Sequence, residues 1–253
     1  MNTICIPSLG VKDSIELLDR IASSIDYHIP NKLVINNGLE DMLVEWNDRH
    51  PDWIVYEPPT GNLGVADSWN FCSKMFPDEK SWLLANEDCW FLPGQLQQIC
   101  ETSDAYSDEP LIYLNSSCAF YCFVWQATGK RDFGDFDANF FPSYYEDVDY
   151  RVRMRLAGKT NHVFALEGQP VVPHGKPRSG GTNYAAMQQG AGLLNRAYWR
   201  KKWGSDNHEG AGYSTPYKDQ RLTVRDWVWD AQHRAEIFPL WREFISQPNP
   251  SIY

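Results

Sequence analysis

Apolar positions change their period along the chain. Short solid apolar runs alternate with stretches in which apolar residues recur every three or four positions. Ile4-Cys5-Ile6 predicts a short buried strand ending at Pro7-Ser8. Val11, Ile15, Leu18, Ile21/Ala22 and Ile25 then fall on one face of a helix over 11–25. Lys32–Ile35 predicts a second strand, stopped by Asn36-Asn37-Gly38, and Leu39, Met42/Leu43 and Trp46 mark a second helix. Trp53–Tyr56 is a third strand, closed by Pro58-Pro59; Val65, Trp69, Cys72 and Met75/Phe76 mark a third helix, and Trp82–Ala85 a fourth strand. This β-α order predicts a mixed, mostly parallel Rossmann-like α/β sheet with helices on both faces.

Beyond residue 110 the pattern loosens. Leu111–Leu114 and Ala119–Trp125 read as antiparallel strands, followed by a loop rich in Gly, Asp and Phe. Glu146–Leu156 reads as a helix, Val163–Leu166 and Pro170–Val172 as late strands, and Tyr184–Trp203 as a helix despite Gly190 and Gly192. The expected organisation is one catalytic domain over 1–185 and a C-terminal helical extension over 186–253.

Composition narrows the class. Hydrophobic residues make up 43% and charged residues 22% of the 253 residues, as in globular proteins. No apolar run approaches the roughly 20 residues of a membrane span, so no stable membrane insertion is expected. The start has no basic segment followed by a long apolar one. The six cysteines include no Cys-x-x-Cys spacing, and Cys118 and Cys122 lack partners for a zinc site. Reduced thiols and a cytoplasmic setting are expected.

The net charge of −10 argues against general adhesion to nucleic acid or anionic membrane. Yet Gly168–Ser205 contains no Asp or Glu and carries Lys176, Arg178, Arg196, Arg200, Lys201 and Lys202. That stretch suggests a local anion site.

Ligands of open α/β sheets bind at the carboxyl ends of the strands. The polar turns expected there are Pro7-Ser8, Asn36-Asn37-Gly38, Asn62-Leu63-Gly64 and Asn86-Glu87-Asp88. A carboxylate in the last turn suits a divalent cation that neutralises a diphosphate.

These turns, with Gly134-Asp135-Phe136-Asp137, Phe140-Phe141, Glu146-Asp147-Val148-Asp149 and Arg153 to Gly158, resemble the large GT-A glycosyltransferase family that contains rhamnosyltransferases and related inverting enzymes. The resemblance covers residues 1–185. It implies transfer of a sugar from a nucleotide-diphosphate sugar, UDP-linked in expectation, to an acceptor hydroxyl with inversion. Asp147 is implied as the base, with Glu146 beside it. Asp88 is implied to hold Mn2+ or Mg2+ on the donor diphosphate, with His174 as a second metal ligand. Pro7, Ser8, Asn36, Asn37, Asn62, Gly64, Asn86 and Glu87 would line the donor site. Asn86 departs from the family's Asp, and Asn36 stands near where members carry an Asp.

Lys176 and Arg178 would assist the diphosphate from a closing loop that also holds Gly180 and Gly181. The acceptor is open: a glycan, a lipid-linked sugar, a protein side chain, or a hydroxylated nucleic-acid base, the last opposed by the net charge. The competing reading is a non-catalytic sugar- or nucleotide-binding module that kept the fold and lost metal binding. A nucleotidyltransferase is disfavoured because a Gly-rich loop after the first strand is missing, with only Gly10 present.

Overall fold

In a computed structural model, residues 1–159 are described apart from 11, 39, 40, 42, 60 and 116–118, together with 171–175, 192, 195–200 and 202–204. The elements in order are β1 (Thr3–Ser8), α1 (Lys12–Ser23), β2 (Asn31–Asn36), α2 (Val44–Arg49), β3 (Ile54–Tyr56), α3 (Gly64–Met75), β4 (Ser81–Ala85), α4 (Gln95–Ala105), β5 (Leu111–Tyr113), β6 (Cys122–Gln126), α5 (Ala127–Phe133) and α6 (Glu146–Leu156). The strands form one six-stranded sheet in the order β3-β2-β1-β4-β6-β5. Strands β1 to β4 are parallel, while β6 runs antiparallel to β4 and β5.

Strand burial explains the solid apolar runs. Ile4, Cys5, Ile6, Leu33, Val34, Ile35, Leu83 and Leu84 are fully buried, as central parallel strands require. Strand β3 lies at the edge and exposes Ile54. Helix α1 covers the core with Leu18 and Ile21, with Ile15 packed beside them.

Two helices were not expected. The buried face of α4 mixes Leu96 and Ile99 with Gln95 and Ser103. Ser103 is there because its hydroxyl meets Ser81 at 2.8 Å and its carbonyl accepts from Gln126 Nε2 at 2.9 Å. Polar residues therefore break the apolar period. In α5, Gly129 reads as a loop residue, yet it permits a close approach: a Cβ there would sit 2.3 Å from Pro110 O.

Strand expectations also shift. Residues 171 and 172 lie outside any strand; Val172 N donates to Leu114 O (3.2 Å), and His174 makes a single antiparallel bridge with Cys89. The strand expected at 163–166, the loop with Lys176 and Arg178, and the boundary at 185 lie outside the described residues.

The chain divides into two compact units. One comprises Met1–Asn62, Ser68–Asp132 and Asn161–Pro177, and contains the sheet. The other comprises Leu63–Asp67, Phe133–Thr160 and Arg178–Tyr253. In the second unit Phe140, Val152, Tyr198, Trp199 and Trp203 form an aromatic core. Beside it lies a wholly buried ionic network. Lys202 Nζ meets Asp137 Oδ2 at 2.6 Å and Asp149 Oδ1 at 2.7 Å, and Arg153 Nε meets Asp149 Oδ2 at 2.9 Å. Two cations thus balance two carboxylates, as buried charge demands. Lys202 is therefore an interior residue and takes no part in the surface anion site suggested by its basic stretch, whereas Arg196 and Arg200 are exposed.

Gly64 opens α3 with φ +75°, and a Cβ would lie 2.8 Å from the Phe141 ring and 2.9 Å from Pro142 O. Val65 N donates to that carbonyl at 2.8 Å. A side chain there faces both a left-handed backbone and an occupied space. Gly64→Ala is expected to cost about 2–5 kcal/mol, the sum of left-handed strain and overpacking. A shift of the urea midpoint with an unchanged m-value would check it.

Candidate functional site

Parallel strand order fans out from β1: β2 and β3 lie on one side and β4 on the other. The carboxyl ends of β1 and β4 therefore frame the point where the order reverses, the usual ligand position in such sheets. A buried hydrogen bond crosses it. Ser8 Oγ donates to Glu87 Oε2 at 2.6 Å and accepts from Gly10 N at 3.1 Å.

On the β2 side, Asn37 N donates to Ser8 O at 2.9 Å, and Asn37 Nδ2 donates to Ser68 Oγ at 2.9 Å. Asn36 Oδ1 accepts from Gly38 N at 3.0 Å, and its Nδ2 donates to Glu57 Oε1 at 2.9 Å. Glu57 Oε2 in turn accepts from Asp41 N at 3.3 Å. Close packing makes two glycines obligatory here. A Cβ on Gly10 would stand 1.9 Å from Asn36 Oδ1, and one on Gly38 would stand 1.8 Å from Leu9 O. Pro7 and Ser8 pair in register with Ile35 and Asn36.

The fold thus brings Pro7, Ser8, Asn36, Asn37 and Glu87 to one edge. Asn62 is buried in the same unit, whereas Gly64 belongs to the other and fills a packing role there. Asn86 is exposed, and its N–H donates to Tyr121 O at 2.7 Å. Glu57 and Ser68 were missed in the sequence. Glu57 directly follows β3, as Asn37 follows β2, so the strand-end rule itself points to it.

Asp88 and His174 are neighbours. His174 bridges to Cys89, Gly175 N donates to Asp88 O at 2.8 Å, and Arg20 Nη2 donates to the same carbonyl at 2.9 Å. Arg20 also lies over the Trp90 ring at 4.1 Å. His174 is exposed and packs its ring against Tyr121 at 4.1 Å. Its Nδ1 stands 2.8 Å from Gly175 O, which can only accept. Nδ1 is therefore the donor in this contact, and Nε2 is the ring nitrogen a metal would take.

Among the described residues no three His, Cys, Asp or Glu side chains form a metal cluster. One carboxylate with diphosphate oxygens and water is the usual way a protein holds Mg2+, and Asp88 supplies the carboxylate of this turn.

In the second unit, α6 starts at Glu146 and carries three acidic residues in its first turn. Their surroundings differ. Asp149 is wholly buried in the ionic network and also accepts from Trp203 Nε1 at 2.9 Å. Glu146 is 5% exposed, and among the described residues its Oε2 has no hydrogen-bond partner. Burial first, then the charges of Asp147 and Asp149, push its carboxyl well above the usual range. Asp147 keeps a side chain 28% exposed, with Arg151 at 4.0 Å one turn on. Of the Glu146–Asp147 pair implied as catalytic, only Asp147 is both accessible and provided with a cation.

The pH consequence of Glu146 follows from its direction. A carboxyl raised in the folded state stabilises fully below its unfolded value, about 4.3, and that contribution is lost as pH rises through the folded value. Glu146→Gln is expected to remove this decline and to raise the denaturation midpoint at neutral pH relative to the parent. Parallel urea titrations at pH 4 and pH 7.5 would check it; an equal difference at both values would contradict it.

No protein-family model matches the chain, and no curated protein matches it by sequence. Among solved structures, TarS 1-349 from S. aureus superposes with a TM-score of 0.53 at 11% identity, over 76% of this chain and 65% of that one. The mannosyltransferase PcManGT from Pyrobaculum calidifontis, in complex with GDP-Man and Mn2+, superposes with a TM-score of 0.54 at 12% identity, over 95% of this chain and 72% of that one. The chain has a glycosyltransferase fold. At these identities the likeness establishes the fold, and the chain spans just under two thirds of TarS 1-349. In this glycosyltransferase fold the mixed sheet and flanking helices are as the sequence implied. Among its described residues no helix is long and apolar enough to cross a membrane.

Proposed function

We propose that the protein is an inverting glycosyltransferase that moves a sugar from a nucleoside-diphosphate donor to an acceptor hydroxyl. The observation that carries this reading is the strand-end cradle of Ser8, Asn36, Asn37 and Glu87 at the reversal of the sheet. Pro7, Asn62 and Asn86 are assigned to the same donor site. A UDP donor is the first to test, with a GDP donor as the alternative arm.

Asp88 and His174 would hold the divalent ion, Mn2+ or Mg2+, which supplies charge neutralisation for the diphosphate as it departs. Arg20, whose guanidinium reaches the Asp88 carbonyl, supports the backbone that presents Asp88. Asp147 takes the proton from the acceptor hydroxyl as that oxygen attacks the anomeric carbon. Glycans, lipid-linked sugars, protein side chains and hydroxylated bases are all acceptors to be screened.

Asp88→Ala is expected to abolish Mn2+-dependent binding of nucleoside diphosphate while the thermal midpoint holds. Calorimetric titration of UDP and GDP, with and without Mn2+, checks it. Unchanged affinity would remove Asp88 from the site.

A second reading has its own observation. Exposed Asn86, where the resembled family has Asp, fits a binding module that engages donors without turning them over. Donor binding without release of nucleoside diphosphate, across the acceptors and in Mn2+, would favour it.

A further inference from the structure

We propose that Asn195 is a positioning residue for Asp147, clamping a left-handed two-tyrosine step from which α6 starts; this rests on Asp147 being the base. Tyr144 and Tyr145 have φ of +77° and +76°. Bulky residues rarely adopt this region, because their Cβ meets the following carbonyl. Two in succession persist only where the surroundings over-determine them.

Asn195 is wholly buried on a helical stretch, residues 195–200. Its Nδ2 donates to Ser143 O at 2.8 Å and to Tyr144 O at 3.1 Å, so both amide protons hold the peptide units on either side of Tyr144. Among the described residues its Oδ1 has no hydrogen-bond partner, so the side chain acts through its donors.

The rings divide the remaining work. Tyr145 is packed against Phe140 and Trp199, with centroids at 6.1 and 5.7 Å. Tyr144 is 42% exposed, so its conformation depends on how its peptide units are held. Tyr145 O then accepts from Asp149 N at 2.8 Å, which fixes the first turn and with it Asp147. No local pattern points to this: Asn195 stands 48 residues beyond Asp147, in a stretch whose one distinguishing feature is its lack of acids.

The test compares wild type with Asn195→Ala and with Asn195→Ala/Tyr144→Gly. Glycine adopts a left-handed φ without steric cost, so it relieves the need for the clamp. Misplacement of a catalytic group by about 1 Å costs on the order of 10²-fold. Asn195→Ala is expected to lose roughly 10- to 100-fold in kcat per folded molecule. The donor KM should stay unchanged, and the double variant should recover most of the loss. Amide exchange over 143–147 should accelerate in Asn195→Ala and slow again in the double variant.

An unchanged kcat per folded molecule, a fall shared equally by Asn195→Ala and the double variant, or unaltered exchange would each overturn the proposal. Should Asn195→Ala fail to fold, the double variant decides: folded and active supports the clamp, unfolded overturns it. If wild type turns over no sugar nucleotide, the functional reading fails, and the exchange measurement still decides whether Asn195 clamps the step.

Discussion

Lys202→Met is expected to destabilise the second unit by about 3–5 kcal/mol. Lys202 is fully buried between two carboxylates, at 2.6 Å from Asp137 and 2.7 Å from Asp149. Its removal strands negative charge in the interior. Asp137 keeps three other donors: Asn139 N at 3.0 Å, Asn139 Nδ2 at 2.7 Å and Tyr198 Oη at 2.9 Å. Asp149 keeps Arg153 and Trp203. Hydrogen bonds from neutral groups do not replace a cation, and breaking a buried pair costs about 3–5 kcal/mol. That is a large share of the roughly 5–15 kcal/mol that holds a domain folded. Chemical denaturation should show the midpoint fall, with the single variants still folded in buffer. Lys202→Met/Asp137→Asn removes one charge of each sign and is expected to lose about 1–3 kcal/mol less than the two single losses added together. Strict additivity would show that the two side chains do not act as a pair.

The same network explains what the sequence disclosed and what it hid. The succession Gly134-Asp135-Phe136-Asp137, Phe140-Phe141 and Glu146-Asp147-Val148-Asp149 was visible as a motif, and the fold it implied is the fold observed. The division of labour within it was not visible. Phe136 stacks on Tyr150 at 4.4 Å, and Phe141 fills the space that Gly64 leaves. Asp137 and Asp149 anchor Lys202, whose chain position gives no hint of it. A basic residue in an acid-free stretch looks like surface until its partners, 65 and 53 residues earlier, are brought to it.

In the sheet, solid apolar runs fixed β1, β2 and β4, because strands buried on both faces need little else. Helix α4 escaped notice because its buried face includes Gln95 and Ser103, whose bonds are tertiary. At the strand ends the rule of one polar turn per strand located Ser8, Asn36, Asn37 and Glu87. The bonds joining them, and the place of Glu57 among them, depend on register across strands that no local pattern encodes.

Asp147→Asn is expected to reduce transfer by about 10²–10⁴-fold, the usual worth of a general base, while donor binding stays at the parental level. Three carboxylates share the first turn of α6, and their surroundings set them apart. Asp149 is saturated by Arg153, Lys202 and Trp203, so it has no capacity to take a proton from a ligand without dismantling the core. Glu146 is enclosed, and burial, then the charges of Asp147 and Asp149, push its carboxyl well above the usual range, which disfavours the ionised form a base needs. Asp147 is partly exposed and faces Arg151 at 4.0 Å. It also sits in the first turn of α6, where the helix end favours negative charge. The amide of Asp147→Asn keeps size and polarity and removes only the basic oxygen, so folding and donor affinity serve as internal controls. Glu146→Gln, isosteric with the enclosed carboxyl, is expected to transfer at close to the parental rate. Single-turnover transfer with saturating donor, set beside calorimetric donor affinity for both variants, separates the roles. An inactive Glu146→Gln beside an active Asp147→Asn would reverse the assignment and move the base to the buried carboxyl.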